Sequence, residues 1–188
     1  MTAICAIIDK KNKRTILASD KLGSNRFTGH TYKTNKIFKS GILTIAICGS
    51  YRMGQVLQHN LKPREFKNKE TIEEYVFDYL ESEIRKVFKD KGVLSISENV
   101  ESIKNSEFIF AIKDRLFILQ SDIAFLEPET IFATSGSGEW HQEASIHTQL
   151  KMDPKKDYKK ILEDAILYTS EIVISVGGGV ETIQHNHE

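Results

Sequence analysis

The chain is predicted to be an α+β protein. Runs of short apolar strands and pairs of amphipathic helices follow one another in the order strands, two helices, strands, two helices and a closing extended segment. A parallel βαβ protein would instead alternate single strands with single helices. The size agrees, since 188 residues, 40% of them hydrophobic and 28% charged, suffice for one soluble domain with a sizeable core. A single domain over 1–188 is expected, with His185-Asn186-His187-Glu188 as a polar tail.

Each element has its own signal. Thr2 to Ile8 is almost continuously apolar and rich in β-branched residues, the pattern of a strand buried on both faces. The polar run Lys10 to Arg14 turns the chain into a second strand, Thr15 to Ser19, which makes an N-terminal hairpin. Lys21 to Asn35, with Gly23 and Gly29, reads as a loop holding one short extended piece. Strands follow at Lys36 to Lys39 and Ile42 to Cys48, joined at Ser40-Gly41, and Gly49-Ser50 leads into a short helix over Tyr51 to His59.

Ile72, Tyr75, Val76, Tyr79, Leu80, Ile84, Val87 and Phe88 keep helical spacing, behind a Thr71/Glu74 capping-box pattern and ahead of a stop at Lys91-Gly92. The polar segment Ser95 to Ser106 precedes four strands, at Phe108–Ile112, Leu116–Leu119, Ile123–Leu126 and Ile131–Thr134. Ser135-Gly136-Ser137-Gly138 then opens a helix over Glu139 to Met152. Asp153-Pro154 is the N-cap and N1 signal for a last helix, with Tyr158, Ile161, Leu162, Ala165 and Ile166 on one face. The segment after Gly177-Gly178-Gly179 is extended.

Composition narrows the function. Lysine plus arginine equals aspartate plus glutamate, 26 against 26, so no net charge draws the chain to nucleic acid or to an anionic membrane. Cys5 and Cys48 both lie in apolar runs and are expected to be reduced, buried hydrophobes, and the N-terminal apolar run is too short and wrongly flanked for a signal peptide. A cytoplasmic protein is expected. Neither a metal nor a cofactor is implied: His141 and His147 are six apart and share no helix face, and His185 with His187 has no third ligand. The Ser135 to Gly138 stretch lacks the lysine and spacing of a phosphate loop.

The residue richest in chemical meaning is Thr2. Aminopeptidase removal of Met1 exposes a small second residue, and an N-terminal threonine then carries its hydroxyl beside its own amine. With a pKa of about 7.7–8, that amine is partly neutral at pH 7 and serves as a base. Asp20 ends the second strand, which the hairpin returns towards Thr2; Lys36 starts the next; Gly49 ends a buried strand, where its N–H can face a substrate; and Ser137 lies between two glycines at a strand-to-helix junction. Taken singly these have plainer uses, Asp20 and Lys36 as a structural ion pair, Ser135 to Gly138 as a turn and cap.

Together, Thr2-Ala3-Ile4-Cys5-Ala6-Ile7, Leu17-Ala18-Ser19-Asp20, Asn35-Lys36-Ile37, Ile45-Ala46-Ile47-Cys48-Gly49-Ser50 and Ala133-Thr134-Ser135-Gly136-Ser137-Gly138 resemble the threonine-nucleophile hydrolases, the proteasome β-subunits and HslV-type proteases, in order and spacing. The resemblance implies a four-layer α-β-β-α sandwich with two antiparallel sheets, in which Thr2 Oγ attacks a peptide carbonyl and the α-amine takes its proton. It further implies that Lys36 lowers the proton affinity at Thr2, Asp20 holds Lys36, Gly49 N–H receives the oxyanion and Ser137 binds the amine. It implies self-association, as a ring, and an ATP-driven AAA+ unfoldase as partner. One departure stands out. The family carries an aspartate and a serine or threonine ahead of its terminal glycines; here the aspartate position falls on Val173 or Ile174, leaving Ser175 or Glu171 as substitutes. A non-catalytic structural subunit and a small-molecule amidase on the same fold are the alternatives this departure and the unknown pocket shape leave open.

Overall fold

The computed structural model describes residues 2–24, 28–97 and 100–187. Met1, whose removal the sequence reading requires, lies outside them, as do Glu188, 25–27 of the predicted loop and 98–99 of the predicted polar segment. Two antiparallel sheets face each other between two helical layers, so the four-layer sandwich is present. The first sheet has the order β12 (Phe132–Gly136), β1 (Ala3–Asp9), β2 (Arg14–Asp20), β13 (Val180–Asn186), and the second β11 (Phe125–Leu126), β10 (Arg115–Leu119), β9 (Glu107–Ile112), β6 (Leu43–Cys48), β5 (Ile37–Ser40).

Strand β1 (Ala3–Asp9) is buried along its whole length. Its alternation explains why. Ala3, Cys5 and Ile7 face the helices α3 (Glu139–Met152) and α4 (Tyr158–Ile172), packing with Ile16 and Ala18 of β2 (Arg14–Asp20) against Ile146, Ile161, Leu162 and Ala165. Ile4, Ala6 and Ile8 face the second sheet, meeting Ala46 of β6 (Leu43–Cys48) and Ile109 and Ala111 of β9 (Glu107–Ile112). The small side chains here let the sheets approach. On the outer face of the second sheet, Phe108, Phe110 and Phe117 pack on Tyr75, Leu80, Ile84 and Phe88. Each such side chain contributes about 1.5–3 kcal/mol by leaving water.

The remaining strands complete the two sheets. β5 (Ile37–Ser40) pairs with β6, and β10 (Arg115–Leu119) lies between β9 and β11 (Phe125–Leu126). β12 (Phe132–Gly136) runs beside β1. Helix α1 (Tyr51–Asn60) follows β6. The predicted loop 21–35 contains a small hairpin of β3 (Leu22–Ser24) with β4 (Gly29–Thr31), and the predicted polar segment contains another, β7 (Ser95–Ser97) with β8 (Val100–Ser102).

Three expectations are corrected. The capping box forms as read, Thr71 N–H donating to Glu74 Oε2 at 2.8 Å and Glu74 N–H to Thr71 Oγ1 at 3.1 Å. The helix it starts, however, is π-helical over Glu74–Leu80 before becoming α2 (Glu81–Asp90). The wider turn brings Tyr75 and Tyr79 to one segment: Tyr75 donates to the Arg64 carbonyl at 2.8 Å and Tyr79 Oη accepts from Arg64 N–H at 2.9 Å. Asp153-Pro154 caps only a turn, through Asp153 Oδ1 and Lys155 N–H at 3.1 Å, while Asp157 is the N-cap of α4. The polar tail is also shorter than expected: β13 (Val180–Asn186) pairs with all of β2, and His185 is buried opposite Thr15.

Candidate active site

Asp20 joins the pieces. It is 1% exposed, and its carboxylate accepts four hydrogen bonds, Oδ1 from Ala3 N–H at 2.9 Å and Lys36 Nζ at 2.7 Å, Oδ2 from Leu22 N–H and Gly177 N–H, both at 3.2 Å. Two charges at such depth persist only when paired and hydrogen-bonded. Lys36, 3% exposed, also donates to the Leu22 carbonyl at 2.8 Å. Burial pulls its ammonium below the ordinary lysine value, with the Asp20 carboxylate opposing. Lys36 therefore sits one carboxylate oxygen away from the residue that follows Thr2.

Thr2 is 4% exposed at the head of β1. Its carbonyl accepts from Ser137 N–H at 2.9 Å and from Ser137 Oγ at 3.3 Å. The register Ala3↔Gly136 explains the contact. Gly136, at φ +102°, lies so close that a Cβ there would stand 2.1 Å from the Thr2 carbonyl oxygen. Gly49 has the same constraint on the other sheet: at φ +99°, a Cβ would meet the Asn105 carbonyl oxygen at 2.0 Å. The glycines are required by close backbone approach.

Thr2 borders two cavities. One of about 370 Å³ is lined by Thr2, Gly49, Ser137, Ser106, Glu107 and Glu139 among others. The second, about 170 Å³, is lined by Thr2, Gly49, Tyr32 and Tyr51, with Gly23, Ser24 and Thr28. All five residues singled out in the sequence, Thr2, Asp20, Lys36, Gly49 and Ser137, are thus brought to one end of the sandwich. The larger cavity has an acidic wall. Burial, the charge of Glu107 and that of Glu143 raise the Glu139 carboxyl above its ordinary value, and Ser135 Oγ donates to Glu107 at 2.5 Å. Cys48 stands behind it with its thiol pushed up to about 11 by burial.

Of the two substitutes weighed for the absent aspartate, the structure brings in one. Ser175 is buried with its Oγ 3.1 Å from Ser137 Oγ. Glu171 is exposed near the end of α4, Ile174 is 95% exposed, and Val173 packs on the helical core. Two contributors had no sequence signal, Glu107 and Glu139, which come from separate elements; Gly177 stood in the triple-glycine stretch, but nothing in the sequence tied its N–H to Asp20. Among the described residues, no group of three or more His, Cys, Asp or Glu side chains is placed to hold a metal ion, and no helix is long and apolar enough to cross a membrane.

No protein-family model matches the chain, and no curated protein matches it. Solved structures do. A Thiobacillus denitrificans BPH chain in complex with epoxomicin is 16% identical over 98% of this chain and 99% of that one, with a TM-score of 0.77. HslV from Trypanosoma brucei is 14% identical over 99% and 100%, with a TM-score of 0.69. A Gly-1 mutant of Anbu from Hyphomicrobium is 15% identical over 100% and 84%, with a TM-score of 0.64. Two antiparallel sheets between helix pairs, matched along nearly the whole length of these chains, give this protein the HslV-like, proteasome-type fold of the Ntn hydrolases.

Proposed function

We propose that the chain is a threonine-type endopeptidase subunit whose nucleophile is Thr2 after removal of Met1. The observation that carries this reading is the Asp20 carboxylate, which ties Lys36 and the backbone beside Thr2 to a single buried point. The freed α-amine takes the proton of Thr2 Oγ as the hydroxyl attacks a peptide carbonyl. The Lys36 charge lowers the proton affinity of both groups, Gly49 N–H donates to the developing oxyanion, and Ser137 orients the amine with Ser175 behind it. An oxyanion donor of this kind is worth about 2.7–4 kcal/mol in other acyl-transfer enzymes. The ester on Thr2 is then hydrolysed. Cavities on both sides of Thr2 leave room for chain before and after the reacting bond. The likeness to HslV and BPH supports a self-associated, ring-forming subunit that degrades unfolded polypeptide, fed by an ATP-driven unfoldase in the cytoplasm.

A second reading rests on one observation: among the described residues no carboxylate is hydrogen-bonded to Ser137 or Ser175, the positions where one would be expected being the apolar Val173 and Ile174. On that reading the subunit is structural.

Intact mass after incubation with epoxomicin separates the two. The peptidase reading expects loss of Met1 and one stoichiometric adduct that Thr2→Ala abolishes. Retention of Met1, or equal labelling of Thr2→Ala, would overturn it and leave the structural subunit.

A further inference from the structure

Roughly 20 Å along the strands from Thr2, the opposite end of the sandwich holds a cavity of about 410 Å³. Four elements build it. Lys39 points outward from β5, Thr44 comes from β6, Lys113 occupies the β9–β10 turn at φ +51°, and His185 and Asn186 end β13. Phe66 and Ile42 supply an apolar wall, and Lys113 Nζ stands 3.6 Å above the Phe66 ring centroid.

The polar groups here are poorly satisfied. His185 is 7% exposed, its Nδ1 lies 3.0 Å from Thr44 Oγ1, and its Nε2 is buried without a hydrogen bond. In either tautomer Nε2 is left over: if Thr44 donates to Nδ1, Nε2 carries a proton with no acceptor, and if Nδ1 donates to Thr44, Nε2 carries a lone pair with no donor. Such an orphan costs about 1–3 kcal/mol until something pairs with it. The Lys113 backbone carbonyl faces the ring and favours its protonated form, but closes no hydrogen bond. Among the described residues the lysines held in ion pairs are Lys36, Lys156, Lys159 and Lys160, so Lys39 and Lys113 bring to the cavity two ammonium groups outside any ion pair. Glu65 shares the rim and works against a polyanion.

We propose that this cavity binds a small organic carboxylate, its oxyanion between Lys39, Lys113 and the His185 ring and its apolar stem along Phe66 and Ile42. One negative charge matches two lysines opposed by one glutamate. An aliphatic stem fits along Ile42 and the edge of Phe66, since Lys113 and Tyr75 cover the two faces of that ring. The imidazole is neutral when the site is empty, since burial and the charges of His187 and Lys39 push its pKa down to about 4; a bound carboxylate favours the imidazolium and raises it. The proposal is independent of whether Thr2 is a nucleophile.

The test is an imidazole ¹H–¹⁵N titration of the full chain with acetate, hexanoate and inorganic phosphate up to about 50 mM, enough to saturate a site with a Kd near 1 mM. Expected is a saturable shift at His185, severalfold tighter for hexanoate than for acetate, and at least about tenfold weaker in Lys39→Gln/Lys113→Gln. Lys10→Gln/Lys11→Gln on the hairpin tip leaves it unchanged. Lys39 is exposed, so Lys39→Gln alone, expected to weaken hexanoate severalfold, keeps the test available if the double variant unfolds. A response that does not saturate, that survives loss of both lysines, that falls equally in the hairpin variant, or that favours phosphate over hexanoate would overturn the proposal.

Discussion

Two aspartates close the first hairpin, one at the end of each strand, and they are held differently. Asp9 accepts from Asn12 N–H at 3.2 Å, Asn12 Nδ2 at 2.7 Å and Arg14 Nε at 3.0 Å, all within five residues along the chain. Asp20 accepts from Leu22 two residues away, but also from Lys36, Ala3 and Gly177, the last 157 residues distant. A locally held carboxylate shapes a turn. One held from four places in the chain fixes those places relative to each other, as the proposed role of Thr2 would require.

The sharpest way to break this contrast is Asp20→Asn, which leaves the Lys36 ammonium buried without its counter-charge. A loss of about 3–5 kcal/mol in denaturant unfolding is expected, together with loss of the epoxomicin adduct. Asp20→Asn/Lys36→Met should recover part of the stability and none of the labelling. If the single variant unfolds like wild type, Asp20 is no more a hub than Asp9.

Next is the far end of β13. The His185 pKa is about 4 folded, against an ordinary 6.5, so the unfolded chain binds more protons between those values. Stability is complete above about pH 6.5 and falls as pH drops towards 4, by up to roughly 3 kcal/mol. Unfolding curves across this range should lose that slope in His185→Gln. An unchanged slope would place the acid sensitivity elsewhere.

Gly49→Ala comes third. The left-handed backbone costs a non-glycine residue about 1–2 kcal/mol, and overlap with the Asn105 carbonyl adds to it, so at least about 2 kcal/mol is expected in denaturant unfolding. Labelling of Thr2 should slow even where the variant folds, because the N–H assigned to the oxyanion moves. Normal labelling would remove Gly49 from that role.

The same contrast decides what the sequence could disclose. Asp9, Asn12 and Arg14 interact within a turn, and Thr71 caps Glu74 three residues on, so short-range patterns reveal them. Cys5 and its neighbours alternate between two buried faces, which an unbroken apolar run announces. Asp20, Lys36 and Gly49 became legible only as a set ordered along the chain. Ser175 was readable as one of two substitutes for the missing carboxylate; choosing it over Glu171 needed the end of α4, which leaves Glu171 in water. The π-turn at Tyr75 escaped because the pull of the Arg64 backbone on Tyr75 and Tyr79 is a tertiary contact. His185 read as tail because a polar terminus carries no periodicity, and its pairing partner Thr15 lies 170 residues earlier.

The smallest effect is expected at Asp9. Arg14→Ala removes one charge-assisted bond from a carboxylate that keeps both Asn12 donors, and the Arg14 side chain is 25% exposed, so solvent already screens the pair. A loss of about 0.5–1 kcal/mol follows. The pH dependence has the opposite origin to that of His185. Burial opposes ionisation of Asp9, but the hydrogen bonds from Asn12 and Arg14 outweigh it and hold the carboxyl below its ordinary 3.8. Its contribution is therefore whole above about pH 4 and fades only as acid titrates it through that lowered value. Comparing wild type with Arg14→Ala at low and high salt should show the difference shrinking as salt rises, whereas the Asp20→Asn difference, buried beyond the reach of ions, should hold. Equal salt sensitivity at the two aspartates would mean that water reaches Asp20, and that the end of the sandwich carrying Thr2 opens in solution.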